Sequence, residues 1–311
     1  MPASIWPPAS SDAAHAVVTE TSANSALPVH YTYVECVDGA YIPIALMKPE
    51  GNGPFPIVLC ATGNGGGGVR MLREHVATKS WTLERLVEAG YAAAWMRYRA
   101  EVDYAYDKIG KLIESGRQGR QLLKRGPLEY EDAIGVANYV KTLPFVDPDR
   151  LGYIGVSHGG EMAFKIASEY SGFRGMVTCE PANHEFLRLK PDETAHVDPK
   201  TGLLNVERML MREPEKVRPR ITEPVARARI ASIETPIFVM GRDRDELQGI
   251  FRVSYDLLKE AGKPCRWKSY DHDLHGFVYP VRGADGNYAV DAMQHEAFAD
   301  VLAFFREYVE R

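Results

Sequence analysis

The sequence predicts an α/β domain built on a mostly parallel, twisted sheet flanked by helices. Three observations carry that expectation. Short apolar runs bounded by turn residues alternate with helical stretches. A glycine-rich loop, Thr62–Gly68, separates one such run from the next helix. Strand, loop, helix and strand in that order make a crossover unit, which places its two strands parallel.

A chain of 311 residues, 45% apolar and 25% charged, can bury a full core and has the balance of an ordinary globular domain. The net charge is −5 with both signs interspersed, which argues against a nucleic-acid partner. No run of about 18 apolar residues is present, so no membrane span is expected. Met1 to Ser25 is rich in Ala, Ser and Pro and lacks a basic start followed by an apolar stretch. The cytoplasm is the expected location, with secretion open if a leader has been removed. Cys36, Cys60, Cys179 and Cys265 are far apart and form no C-x-x-C pair. Neither a zinc site nor a disulfide framework is expected, and reduced core thiols are.

After an extension over residues 1–28, the domain is read over 29–311. Val29–Val37 and Tyr41–Lys48 flank Asp38-Gly39 and read as a hairpin. Pro56–Ala61 is a strand buried on both faces. Trp81–Ala89 is a helix and Tyr91–Arg97 the next strand. Glu129–Thr142 repeats Ala133, Val136, Ala137 and Val140 at helical spacing. Leu151–Val156, Gly175–Cys179, Pro236–Met240 and Arg266–Tyr270 read as strands. Glu161–Ser168, Phe251–Ala261 and Met293–Tyr308 read as helices. Two stretches break the alternation, near 100–127 and 182–232. They read as excursions from the sheet edge, the second a helical cap, and long insertions of this kind tend to carry function.

The chemistry starts at Gly155-Val156-Ser157-His158-Gly159, a G-x-S-x-G motif. It follows an apolar strand and opens a helix, the setting in which a sharp turn thrusts the serine hydroxyl out at the sheet edge. The helix N-terminus adds a field that favours developing negative charge. The stretch Asp147–Gly160 resembles the elbow of the α/β-hydrolase superfamily, in its dienelactone-hydrolase-like and prolyl-oligopeptidase-like branch. The resemblance runs from about Val34 to the C-terminus, the excursions apart. It implies the fold, a Ser–acid–His triad, and hydrolysis of esters or amides without a cofactor. Dienelactone hydrolases themselves carry a cysteine nucleophile, so the serine here argues against that particular activity.

A serine hydroxyl needs a base, and in this fold the acid and then the histidine follow the serine in the chain. His184 and His196 fall in the cap and His295 in the last helix. His275, in a loop after Arg266–Tyr270 and within the His-Gly-Phe pattern that the resemblance implies, is the expected base, with His272 the alternative. The acid should end the strand Pro236–Met240, where Asp245 is chosen over Asp243. The loser would pair with Arg242 or Arg244. Backbone N–H groups of His158 and of Asn64, with Gly65 second, are the expected oxyanion donors. The loop has Thr62-Gly63-Asn64 where relatives usually have His-Gly-x. Neither a phosphate-binding G-x-x-x-x-G-K-[ST] nor metal-ligand spacing is present, so no cofactor and no metal is expected.

The leading reading is a serine esterase acting on a small-molecule ester through an acyl-enzyme. Alternatives are a peptidase or amidase of the prolyl-oligopeptidase-like type, and a non-catalytic binding protein on the same fold. About 30 residues before the first strand are too few for even one blade of the propeller that such peptidases carry. An intact Ser157, Asp245 and His275 set disfavours the pure binder. Arg70, Arg73, Lys79, Arg97 and Arg99, with Arg188, Arg208 and Arg212 of the cap, are candidates for holding an acidic group. A solvated, paired surface is the preferred reading of them.

Overall fold

The computed structural model describes residues 18–21, 27–36, 41–63, 68–97, 126–190 and 211–311. Nine strands form one sheet: β1 (Val18–Thr21), β2 (Pro28–Glu35), β3 (Tyr41–Met47), β4 (Phe55–Ala61), β5 (Ala92–Met96), β6 (Val146–Val156), β7 (Gly175–Cys179), β8 (Ile237–Arg242) and β9 (Cys265–Tyr270). Their order is β1-β2-β3-β5-β4-β6-β7-β8-β9. The first three strands and the β3–β5 pair run antiparallel, and every pairing from β5 to β9 is parallel.

Helices α1 (Gly68–Thr78), α2 (Trp81–Glu88) and α8 (Ala292–Tyr308) cover one face. There Leu72, Val76, Leu83, Leu86, Val301 and Phe305 pack on Val58, Cys60 and Ile154. Helices α3 (Gly126–Val140), α4 (His158–Glu169), α6 (Glu223–Ala231) and α7 (Gln248–Glu260) cover the other, over Ile57, Leu59, Ala61 and Tyr153. Alternate residues of β4 thus point into opposite cores, which is why Pro56–Ala61 reads as an unbroken apolar run and not as an alternation. The three layers bear out the α/β class and the flanked parallel sheet.

The boundaries agree with the sequence reading to within a few residues, with some additions. The 1–28 extension contains β1, a four-residue edge strand paired in register with β2. Four residues carry too little periodicity to be read, and only the partner strand satisfies their backbone. Helix α1 starts directly after the glycine loop, where runs of glycine hide the start of a helix. β6 begins at Val146, five residues before the run that marked it. The second excursion supplies α5 (Pro214–Val217) and α6, whose Val217, Ala226 and Ile230 join the core beneath α7. Met211 ties it to the loop after β8 and to the start of α7 through backbone bonds with Glu246 and Gly249. Residues 98–125 and 191–210 of the two excursions lie outside the described residues. Among the described residues no helix is long and apolar enough to cross a membrane.

This topology dictates where a site can form. From β4 the chain steps to β5 on one side, then crosses to β6 on the other. The loops after β4 and β6 therefore part at the carboxyl edge, the crevice where open α/β sheets bind ligands.

Candidate active site

Ser157 ends β6 and caps the start of α4 with φ 56° and ψ −115°, outside the regions open to L-residues. The surroundings hold it there. Its N–H donates to the Cys179 carbonyl at 2.9 Å, and its own carbonyl accepts from the Glu161 and Ala182 N–H groups, each at 3.0 Å. Strand and helix can meet this sharply because of two glycines. A Cβ on Gly155 would lie 2.1 Å from the Gly159 carbonyl oxygen, and one on Gly159 would lie 2.9 Å from the carbonyls of Ala61 and Thr62. The β4 loop reaches the same spot, since a Cβ on Gly63 would come within 3.3 Å of Ser157 Cβ. His158 is the first residue of α4, so its N–H has no intrahelical acceptor and sits at the positive end of the helix dipole.

The His158 side chain is turned inward. Its Nε2 lies 3.0 Å from Glu129 Oε2, and its Nδ1 lies 3.7 Å from Glu161 Oε2, all three residues being buried. Glu161 also accepts the N–H groups of Glu185 and Phe186 and faces Lys165. Burial disfavours the Glu161 charge, but Lys165 and His158 outweigh it and hold the carboxyl below its ordinary range.

His275 stands in the loop after β9. A Cβ on the next residue, Gly276, would lie 3.2 Å from Val156 Cγ1, so the loop folds over the residue that precedes Ser157. His275 Nδ1 is 3.2 Å from Glu180 Oε2 and 3.7 Å from Asp245 Oδ2. Both carboxylates are buried, and Arg242 joins them, at 2.8 Å from Glu180 and 2.7 Å from Asp245. Among the described residues the contacts of His275 are to this group, and none joins it to Ser157 Oγ. Such bonds often tighten only when substrate is bound.

Burial opposes an imidazolium here, but Asp245 and Glu180 more than compensate and raise the His275 pKa to about 10. Asp245 is disfavoured as an anion by burial, yet bonds from His275, the Leu247 N–H and Arg242 bring it below the usual carboxylate range. Glu180, Asp245 and His275 also have the donor types for a metal. Arg242 already supplies the positive charge against both carboxylates, so the group does not suit a cation.

The structure therefore gathers His275 and Asp245, and stations Ser157 and the His158 N–H at the crevice. Asn64 and Gly65 lie outside the described residues. Both ring nitrogens of His272 are engaged elsewhere: Nε2 pairs with Asp291 at 3.0 Å, and Nδ1 accepts the Leu274 N–H. Asp243 is exposed, and the expectation that it pairs with Arg242 or Arg244 needs correcting. Arg242 turns inward to Asp245, while Arg244 pairs with Asp271 and Asp273.

Of the cationic candidates, Arg73 is paired with Glu20, and Arg212 bonds the Arg244 carbonyl. Arg97 is buried and donates to Thr62 Oγ1 at 2.9 Å, just past the end of β4. The side chain of Arg70 and all of Arg99 and Arg208 lie outside the described residues. The residue that sequence reasoning missed is Glu180. Its signal was present: an acid directly after the apolar strand Gly175–Cys179, followed by Pro181, beside the elbow strand.

Comparison with known proteins shows what the chain is similar to. Over 252 residues the chain is 25% identical to an uncharacterized peptidase, YuxL, of Bacillus subtilis (strain 168), covering 78% of this chain and 35% of that protein. It thus spans about a third of that relative's length. The acylaminoacyl peptidase of Pyrococcus horikoshii superposes with a TM-score of 0.60 at 16% identity, over 92% of this chain and 42% of that one. An esterase of Pyrobaculum calidifontis superposes with a TM-score of 0.57 at 20% identity, over 90% of this chain and 84% of its own. These likenesses establish the α/β-hydrolase fold. Residues 115–310, well over half of the chain and including the elbow and the histidine loop, match the model of the prolyl oligopeptidase family, and the chain belongs to that family.

Proposed function

We propose that the protein is a serine hydrolase that cleaves carboxylic esters of small molecules through an acyl-enzyme. The observation that carries the reading is Ser157, held in a strained left-handed turn at the head of α4, with the loop that carries a carboxylate-bound histidine folded over the residue before it. Strain of this kind persists only where the surroundings over-determine it, and such positions cluster at functional sites.

In the mechanism, His275 Nε2 takes the proton of Ser157 Oγ as the oxygen attacks the ester carbonyl. Asp245 accepts from Nδ1–H, keeps the ring in the tautomer that leaves Nε2 free, and offsets the imidazolium charge. The carbonyl oxygen becomes an oxyanion, received by the His158 N–H and by the Asn64 N–H of the β4 loop. His275 then gives its proton to the departing alkoxide, leaving an acyl group on Ser157. Water, deprotonated by the same imidazole, attacks the acyl carbon and regenerates the serine. No step needs a metal or an organic cofactor.

Amide cleavage by the same residues is the second reading, favoured by the family match. An aminopeptidase must hold the substrate ammonium with carboxylates. Among the described residues the buried acids near the crevice face His275, Arg242, His158 or Lys165. That speaks against an aminopeptidase. The test compares kcat/KM for p-nitrophenyl acyl esters with that for aminoacyl and acylaminoacyl anilides, with fluorophosphonate labelling of Ser157 alongside. Labelling at Ser157 with ester turnover at least a hundredfold above anilide turnover is expected. Preference for anilides would move the assignment to the peptidase reading, and absence of labelling would leave a binding protein.

A further inference from the structure

We propose that Glu180 is a second positioning carboxylate for His275, sharing the Nδ1–H with Asp245. The inference rests on the serine-hydrolase reading above and adds a residue that the Ser157–Asp245–His275 set does not contain.

The geometry points to Glu180 on four counts. Its Oε2 is nearer to Nδ1 than any oxygen of Asp245, at 3.2 Å against 3.7 Å. The same oxygen accepts the Gly276 N–H, so one atom grips both the ring of His275 and the backbone of the following residue. A carboxylate that only balanced Arg242 would have no reason to bind this loop twice. Third, Glu180 sits at φ 52°, a left-handed conformation that a non-glycine residue adopts at a cost. The Glu180 N–H is bonded to the Met240 carbonyl at 2.8 Å, which holds the residue in place against β8. Fourth, the end of β7 also places the nucleophile. Cys179 accepts the Ser157 N–H, and Ala182 donates to the Ser157 carbonyl, so base support and nucleophile are tied to one strand end.

The work divides between the two acids. Asp245 spends Oδ1 on the Leu247 N–H and Oδ2 on Arg242, which sets the loop after β8. Arg242 in turn reaches the Asp273 carbonyl of the histidine loop. Glu180 gives Oε1 to Arg242 and turns Oε2 to His275. When the Ser157 proton moves to Nε2, Nδ1–H stays on the ring and neither acid is protonated. The imidazolium then faces two anions and one guanidinium, a net charge of about −1 that stabilises it.

The test uses the full chain and p-nitrophenyl acetate, with pH–rate profiles for the parent, Glu180→Gln and Asp245→Asn. The charged groups that face the ring are Glu180 at the end of β7, and Arg242 and Asp245 on β8 and its loop. The adjoining Cys179 thiol is kept neutral by burial. Glu180→Gln is expected to lower kcat at least 30-fold with KM within threefold, and to move the acidic limb of kcat/KM to lower pH by at least one unit. Asp245→Asn is expected to retain more than 1% of the parent kcat, because Glu180 still holds the ring. A Glu180→Gln protein that keeps more than a third of kcat with an unmoved limb overturns the proposal. Should that variant not fold, Asp245→Asn decides alone: a loss on the order of 10⁴-fold, as for a lone triad carboxylate, overturns it. Failure of the parent reading looks different, since Ser157→Ala would then still hydrolyse the ester.

Discussion

Replacing Ser157 by glycine should make the protein inactive and more stable than its alanine counterpart. The perturbation isolates the backbone. Ser157 holds φ 56° and ψ −115°, and alanine at that position keeps the same steric conflict while removing only Oγ. A non-glycine residue in such a region carries about 1–3 kcal/mol of strain. Glycine removes it but returns roughly 0.5–1 kcal/mol through the greater freedom of the unfolded chain. The difference leaves Ser157→Gly about 1 kcal/mol more stable than Ser157→Ala. With an unfolding entropy of roughly 2.1 cal/mol/K per residue, that is about 1.5 °C in Tm for a chain of this length. Differential scanning calorimetry of both variants at one pH measures the shift, and p-nitrophenyl acetate turnover measures the loss. Both variants should lose on the order of 10⁴-fold or more in kcat. A glycine variant that melts below the alanine variant would refute the strain argument. Retention of more than a tenth of parental activity in either would refute the nucleophile.

The other predictions concern the base, the elbow and the buried acid beneath it. As the proposed base, His275 has to be neutral to accept a proton, and its carboxylates raise its pKa to about 10, so kcat/KM should keep rising with pH well above 7, read by stopped-flow esterase assay. The stability that this group contributes is complete below the unfolded imidazole value of about 6.5 and is lost as pH rises through about 10. A limb near 6.5 would show that the carboxylates do not act on the ring. Gly155→Ala should cost more than about 3 kcal/mol or prevent soluble expression, since its Cβ would overlap the Gly159 carbonyl; a Tm within 2 °C of the parent would contradict the packing. Glu161→Gln strips a buried charge from Lys165 and His158 and should cost about 3–5 kcal/mol by urea unfolding. The depressed Glu161 pKa means that this contribution is present above about pH 4.5 and lost as pH falls through the folded value, so the gap between parent and variant should close in acid. His272→Ala and Asp243→Asn should leave kcat within threefold.

Much of the architecture was legible because it depends on local pattern. Short apolar runs bounded by turn residues suit strands buried on both faces, and their alternation with helical stretches implies parallel crossovers, so Pro56–Ala61, Leu151–Val156 and Gly175–Cys179 were legible as central strands. The elbow was legible for a similar reason: Gly155, Ser157 and Gly159 are neighbours in the chain, and their crowding is a local fact. β1 was invisible, because a four-residue edge strand exists only through its pairing with β2.

The histidine and its acids lay at the boundary between the two kinds of information. Loop position and the family pattern of the motif singled out His275, but the choice between His272 and His275 needed the partners. Bonds to Asp291 and from the Leu274 N–H engage both nitrogens of the His272 ring, while the His275 ring lies beside Asp245, as the proposed base requires. An acid at the end of the strand Gly175–Cys179 was readable, but its pairing with His275 belongs to the tertiary structure. Glu180 stands 95 residues before His275 in the chain, and nothing in its local sequence says which way its side chain turns. Only the pairing of β6 with β7 and of β7 with β8, together with the fold of the β9 loop back over Val156, sets its carboxylate against the imidazole. Long-range electrostatic contacts of this kind depend on distances of a few ångströms, and the tertiary packing of the strand ends alone determines them.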